Sequence, residues 1–278
     1  MSGAARLAGA AMLLLIGACI LSLPWTLAAY DAGELAQARQ PPGAAGGWMG
    51  TDRLGRSILV RTLLGGAVSL SLGAAAAGVS VVIGVSWGLA AGWFGGTLGR
   101  LMMRAVDVLY GLPYLLIVIL LKVALDDLLL RRWGWNVAAA NFFVLLLSLG
   151  AVSWLTMARV IRAQVLSLRT RPFIEAARVM GVPAWRIGLS HLLPNLTGPI
   201  LAYAALIVPQ AILQESLLSF LGVGVERPMP SWGNLAADGV GAINNIESFW
   251  WMLIFPCGLL TATLLCLHIL GERLRRAL

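Results

Sequence analysis

Six runs of mostly apolar residues dominate the sequence: roughly Leu7 to Leu27, Ala67 to Ala91, Val106 to Leu125, Ala138 to Met157, Pro199 to Leu221 and Phe249 to Leu270. A helix of about 20 residues crosses the hydrocarbon core of a bilayer. Within that core every backbone N–H and C=O must be bonded inside the protein, so a run of this length can only be a helix. Of 278 residues 59% are hydrophobic and 12% charged, a balance that a water-soluble globule does not have. The expected class is an all-α integral membrane protein with six transmembrane helices. The first run can also be read as a signal peptide, with Arg6 before it and Ala28-Ala29 at its end, and Ile16-Gly17-Ala18-Cys19 faintly matches a lipoprotein cleavage site. Its length beyond the about 7 to 15 residues of such signals, and its continuation past Cys19, favour a retained span.

The formal charge of +8 does not point to nucleic acid, because the basic residues are spread between apolar runs. They serve instead to orient the spans. With the N-terminus inside, the inner set is Arg6, Arg100, Arg104, Arg159, Arg162, Arg169, Arg171, Arg178, Arg186, Arg273, Arg275 and Arg276, and the outer set is Arg39, Arg53, Arg56, Arg61, Lys122, Arg131, Arg132 and Arg227. Twelve against eight places both termini in the cytoplasm by the positive-inside rule. Asp31, Glu34, Asp52, Asp126, Asp127, Glu226, Asp238 and Glu247 bring the outer set near neutrality. Cys19, Cys257 and Cys266 lie in apolar stretches without a CxxC pair, which argues for packing rather than disulfides or zinc. The string Gly84-Val85-Ser86-Trp87-Gly88 has the form of a hydrolase nucleophile elbow, but that motif needs a strand-to-helix turn and a histidine partner. No Walker A, HExxH or dinucleotide string occurs, so no catalytic residue, metal ligand or cofactor is assigned. A membrane-embedded enzyme remains a rival class, weakened because the only histidines, His191 and His268, have no acidic cluster beside them.

Three hydrophilic segments join the spans. Residues 30–66 and 222–248 would face outward and are rich in Gly, Pro and Trp, as suits loops against a membrane surface. Residues 158–198 are basic and would face the cytoplasm. There Pro172 suits a first helical turn, Gly181 a stop, Pro183 the start of a second helix and Pro194 its end. Phe173, Ile174, Ala177 and Met180 make one face of the first helix too apolar for water, so a partner surface is expected, either a protein or lipid headgroups.

The same residues resemble a known family. Glu175-Ala176-Ala177, then Gly181, then His191-Leu192-Leu193-Pro194-Asn195 look like the EAA loop of bacterial ABC importer permeases, here between the fourth and fifth spans. Two further strings resemble the dipeptide, oligopeptide and nickel branch: Gly50-Thr51-Asp52, Gly55-Arg56, Arg61 and Val68-Ser69-Leu70, and Glu215 to Gly222 with Pro230-Ser231-Trp232-Gly233. Ser57 stands where that branch usually has Asp, and Ala67 where it often has Arg. The resemblance implies a coupling helix in residues 173–190, with Glu175, Ala176, Ala177, Gly181, His191, Pro194 and Asn195 contacting or shaping the contact with an ATPase. It implies a second homologous permease subunit, two ATP-binding subunits that hydrolyse ATP, an external solute-binding protein, surrounding lipid and a multi-pass place in the bacterial inner membrane. The chain would divide into an N-terminal span and external loop, 1–66, and a permease domain, 67–278. Peptides are the implied cargo, with nickel or a metal chelate as the alternative. A passive channel or structural subunit would not need the EAA string.

Polar residues inside apolar runs are the remaining candidates. Glu215, with Gln210 and Gln214, lies in the fifth span, where a charge is expensive unless bonded to a neighbouring helix or placed on the translocation path. Asp107 and Pro113 read as a helix-end charge and a kink in the third. Gly84, Gly88, Gly92 and Gly96 form a smooth stripe for close helix packing. Trp25, Trp48, Trp93, Trp133, Trp135, Trp232, Trp250 and Trp251 fall near span ends as interfacial anchors.

Overall fold

Proline and glycine punctuation cuts the apolar runs into eleven named α-helices in a computed structural model that describes residues 3–43, 47–126, 128–129, 133–243 and 247–277. Asp127, Arg131, Arg132 and Leu278, which entered the charge and boundary expectations, lie outside the described residues. The first run is α1 (Gly3–Leu21) and α2 (Leu23–Ala29), bent by 53° where Pro24 removes a donor from the ladder. The second is α3 (Ile58–Phe94), which starts well before the expected Ala67. The third is broken, because Leu112 precedes Pro113 and so avoids helical φ and ψ. α4 (Gly96–Tyr110) meets α5 (Tyr114–Asp126) at 91°, so the expected run Val106 to Leu125 starts in one helix and ends in the other. α6 (Val137–Leu168) runs well beyond the expected Met157.

The segment expected as helix, turn, helix is α7 (Pro172–Val179), a turn, and α8 (Ala184–Ile187). Pro194 does not end the second helix. A π-helical turn over Gly188–Leu192 carries α8 into α9 (Leu193–Phe220), and Pro194 sits in the first turn of α9, where its missing N–H is harmless. α10 (Trp232–Val240) is capped by Ser231 and Asn234 in a reciprocal box, and α11 (Trp251–Ala277) closes the order. Among the described residues four helices can each cross a membrane by length and composition, or up to six spans if each bent pair counts as one. Among the described residues the only extended pairing is in isolated bridges, such as Thr51 with Ser57.

The centre of the bundle is the contact of α3 with α6. A Cβ on Gly84 would lie 2.5 Å from the Met157 side chain, one on Gly88 2.7 Å from the Ala158 carbonyl, and one on Gly92 2.7 Å from Val165. The facing residue numbers rise together, so the two helices run parallel. Gly96 does not continue this stripe; it lies past the α3 terminus with open space around its Cα. Along the same seam one apolar cluster joins Ala77 of α3, Met157, Ile161 and Val165 of α6, Ile174 and Ala177 of α7, Ile187 of α8, and Leu196 and Ile207 of α9. The expected tryptophan anchors divide: Trp25, Trp48, Trp133, Trp135 and Trp250 are exposed, whereas Trp232 and Trp251 are buried. Trp232 fills the space over Gly66 and donates its indole N–H to the Thr62 carbonyl at 3.1 Å.

Because Gly88 faces backbone as well as side chain, Gly88→Leu must push α3 and α6 apart, at about 1 to 3 kcal/mol. Gly78→Leu, where nothing lies within 4 Å of the new Cβ, is the matched control. Thermal unfolding of the detergent-purified protein should show a lowered midpoint for the first and a near-native one for the second.

Candidate functional site: a surface hairpin and a buried carboxylate

Arg171 is extended, Pro172 fixes the first turn of α7, and the helix stops in a two-bond turn. Val182 N–H donates to the Ala177 carbonyl at 3.1 Å and Gly181 N–H to Arg178 at 3.0 Å, with Gly181 at φ 77°. That positive φ is why glycine stands there. The turn folds α8 back beside α7. Ile174 and Ala177 are then covered by the protein's own α6, α8 and α9, so the apolar face expected to meet a partner is half internal. Its exposed remainder is different: Phe173 at 42%, Val179 at 88%, Met180 at 75%, Trp185 at 63% and Leu189 at 56%. Glu175 and Ala176 are exposed beside this patch, and Ala177 serves instead to let α7 seat closely on the bundle.

The hairpin is fixed at its root. Arg178 lies over the Trp93 ring at 4.9 Å, and Arg169 donates to the Gly92 carbonyl at 3.1 Å, so α7 and the end of α6 are both tied to the end of α3. His191 and Asn195 shape the π-helical turn rather than the exposed patch: the Asn195 amide donates to the His191 carbonyl at 2.7 Å. The structure thus brings Glu175, Ala176, Ala177 and Gly181 together on one hairpin and leaves His191, Pro194 and Asn195 at its exit.

Glu215 is fully buried. It accepts from Ser219 Oγ at 2.7 Å and Ser216 Oγ at 3.4 Å on α9, with Ser69 of α3 and Ser231, the cap of α10, beside it. Ser69 Oγ in turn accepts from the Trp232 N–H at 3.3 Å. The carboxyl group therefore sits where three helices meet. Gln210 and Gln214 do not share this cage: Gln210 is exposed, and the buried Gln214 Oε1 has no hydrogen-bond partner among the described residues.

The Gly50-Thr51-Asp52 string forms a second junction at the start of α3. Asp52 accepts from the N–H groups of Leu54 at 2.8 Å and Arg56 at 2.9 Å and from Arg56 Nε at 2.8 Å, while Arg61, 1% exposed, lies 3.8 Å away. Thr51 accepts at its carbonyl from Trp251 Nε1 at 3.2 Å, which binds the loop to α11. Two polar groupings were not singled out from sequence. Asn141 of α6 donates to the Gly224 carbonyl at 3.2 Å and accepts from Glu226 N–H, with Lys122 of α5 also 3.4 Å from Glu226. Arg159 of α6 pairs with Asp107 of α4 at 2.9 Å. The signal available for Asn141 and Lys122 was the one used for Glu215, a polar residue inside an apolar run.

Comparison with known proteins gives the chain's relatives. The family described as binding-protein-dependent transport system inner membrane component matches residues 84–278. The oligopeptide transport system permease protein OppC of Escherichia coli K12 is 40% identical over 100% of this chain and 87% of its own length. OppC of Haemophilus influenzae is 43% identical over 83% of this chain and 69% of its own. The dipeptide transport system permease protein DppC of Bacillus subtilis is 39% identical over 88% and 72%. Among solved structures, an inward-facing MetNI methionine ABC transporter chain superposes with a TM-score of 0.60 at 19% identity, covering 79% of this chain and 96% of that one, a likeness of fold.

Replacing Glu215 with Leu strands the hydroxyls of Ser216 and Ser219, at about 0.6 kcal/mol for each hydrogen bond lost within a membrane. Glu215→Gln keeps one acceptor oxygen. Yield and thermal midpoint after purification should fall clearly for Leu and slightly for Gln; equal behaviour of the two would place the carboxylate's role elsewhere.

Proposed function

We propose, for a chain that belongs to the family of binding-protein-dependent transport system inner membrane components, that it forms half the path of an ATP-driven peptide importer. Its hairpin of α7 and α8 docks on a cytoplasmic ATPase. The observation that carries this reading is the contrast within the hairpin: a root locked into the bundle core and a tip that leaves Val179, Met180 and Trp185 uncovered. A patch of this kind on a short, well-anchored element marks a protein contact. Motion of the ATPases would reach the spans through the root, shifting a two-state equilibrium between outward-open and inward-open forms. Peptide cargo is supported by the names of the relatives that match most of the chain.

In this reading each bent helix pair is one span, giving six, with both termini in the cytoplasm. The residues before α3 add a span and an external loop to a permease domain that begins with α3 at Ile58. The complex holds a second homologous permease, two ATP-binding subunits and an external solute-binding protein. This chain binds no cofactor and catalyses no reaction of its own.

Two measurements test the proposal. Reporter fusions active only in the cytoplasm should work after Arg171 and fail after Trp48; activity at Trp48 reverses the orientation. Met180→Asp and Trp185→Asp place charge on the exposed tip without touching the core, so ATPase co-purification and substrate-stimulated hydrolysis should drop about tenfold or more, the scale of a binding hot spot. Gly181→Val, which forces a β-branched residue to positive φ at about 1 to 3 kcal/mol, should do the same by splaying the hairpin. Ala177→Arg is uninformative about docking because Ala177 is a core residue. Wild-type association of all three docking variants with the ATPase would remove the coupling role.

A further inference from the structure

Beside the hairpin root, α4 and α6 form a cleft of about 210 Å³ lined by Met103 and Asp107 of α4 and by Arg159, Arg162, Ala163 and Leu166 of α6. Arg162 lines it, and its buried Nε has no hydrogen-bond partner among the described residues. A buried, unmatched guanidinium N–H costs free energy until an acceptor reaches it. Arg159 is only partly spent: it gives one hydrogen bond to Asp107 at 2.9 Å and rests over the Tyr110 ring at 4.2 Å. Its side chain is 40% exposed and that of Asp107 61%, so the cleft opens at the surface.

We propose that this cleft binds the phosphodiester of an anionic phospholipid. Two guanidinium groups less one carboxylate leave a site charge of +1, which matches the single negative charge of a phosphodiester. A planar guanidinium suits two phosphate oxygens at once. The ligand is a lipid and not a free anion because Met103, Ala163 and Leu166 give the cleft an apolar side, and α4 also turns Leu101 and Val108 to the outside. Basic pockets between spanning helices are a recurrent means of holding anionic headgroups. Asp107 has a defined part: its pairing with Arg159 lowers the site charge, so a dianionic phosphate is less well matched than a diester. The bound lipid would fill the angle between α4 and α6 next to the seam that carries α7. This inference rests on the membrane reading of α4 and α6 and is independent of cargo and coupling.

The test uses the complete assembly extracted in mild detergent and examined by native mass spectrometry after addition of phosphatidylglycerol, diacylglycerol or inorganic phosphate. Phosphatidylglycerol should be retained on the wild-type assembly, diacylglycerol should not, and inorganic phosphate at equal concentration should not displace the lipid. Arg162→Gln should weaken retention about tenfold or more, as loss of a charged hydrogen bond does, while Arg6→Gln on α1 controls for general attraction. Retention by Arg162→Gln equal to wild type overturns the site. Equal retention of diacylglycerol overturns phosphate recognition, and displacement by inorganic phosphate overturns the lipid as ligand. If Arg162→Gln does not assemble, the three wild-type additions still decide. Met180→Asp should keep the lipid while losing ATPase stimulation, so this inference and the coupling proposal can fail separately.

Discussion

The approach of α3 to α6 across Gly84, Gly88 and Gly92 sets the position of everything at the hairpin end of this protein. In lipid no hydrophobic gain drives two apolar helices together, because hydrocarbon surrounds them either way; close van der Waals contact must supply the attraction. Three glycines on successive turns remove the side chains that would hold the axes apart. Met157, Ala158, Ile161 and Val165 then fill the gap, and the same α6 face continues as the floor on which Ile174, Ala177 and Ile187 rest. A wider α3–α6 spacing would lower that floor and unseat α7.

The opposite end is held by different chemistry. There the loops carry polar groups that cannot be left unpaired, and buried carboxyl groups organise them: Glu215 takes Ser216 and Ser219 of α9 beside Ser69 of α3 and the α10 cap, while Asp52 gathers Arg56 and backbone N–H groups beside Arg61. Trp232 and Trp251 close the two junctions from above, each with its indole N–H on a backbone carbonyl. A charge in a low-dielectric setting is tolerated only when its partners are in place, which makes these sites rigid as well as costly to alter. The bundle is therefore braced by close apolar contact at one end and by hydrogen-bonded carboxylates at the other. The break at Gly111, Leu112 and Pro113 interrupts the backbone ladder between them on one side.

Rigidity at the hairpin root matters for the proposed work. A flexible loop would absorb a push from a partner; α7 shares its core with α3, α6 and α9, so a displacement has to be passed to the spans. Arg178 on Trp93 and Arg169 on Gly92 give the same connection a polar component.

Local chemistry made much of this legible in the sequence. Run length and the need to satisfy backbone groups in lipid fixed the helical class; Gly181, Pro172 and Pro183 marked the hairpin, because positive φ and a fixed φ are properties of single residues. Pro113 signalled its break in the same way, and Glu215 announced itself as a charge where none is cheap. The tertiary structure alone decided which side of α7 faces inward, that Pro194 continues a helix through a π-helical turn, that Gly96 lies off the stripe, and that Trp232 and Trp251 are core residues while other tryptophans are exposed. Each of those outcomes depends on which distant segment arrives at a given surface, and in a chain that is apolar nearly everywhere, hydrophobic periodicity no longer distinguishes the face turned to protein from the face turned to lipid.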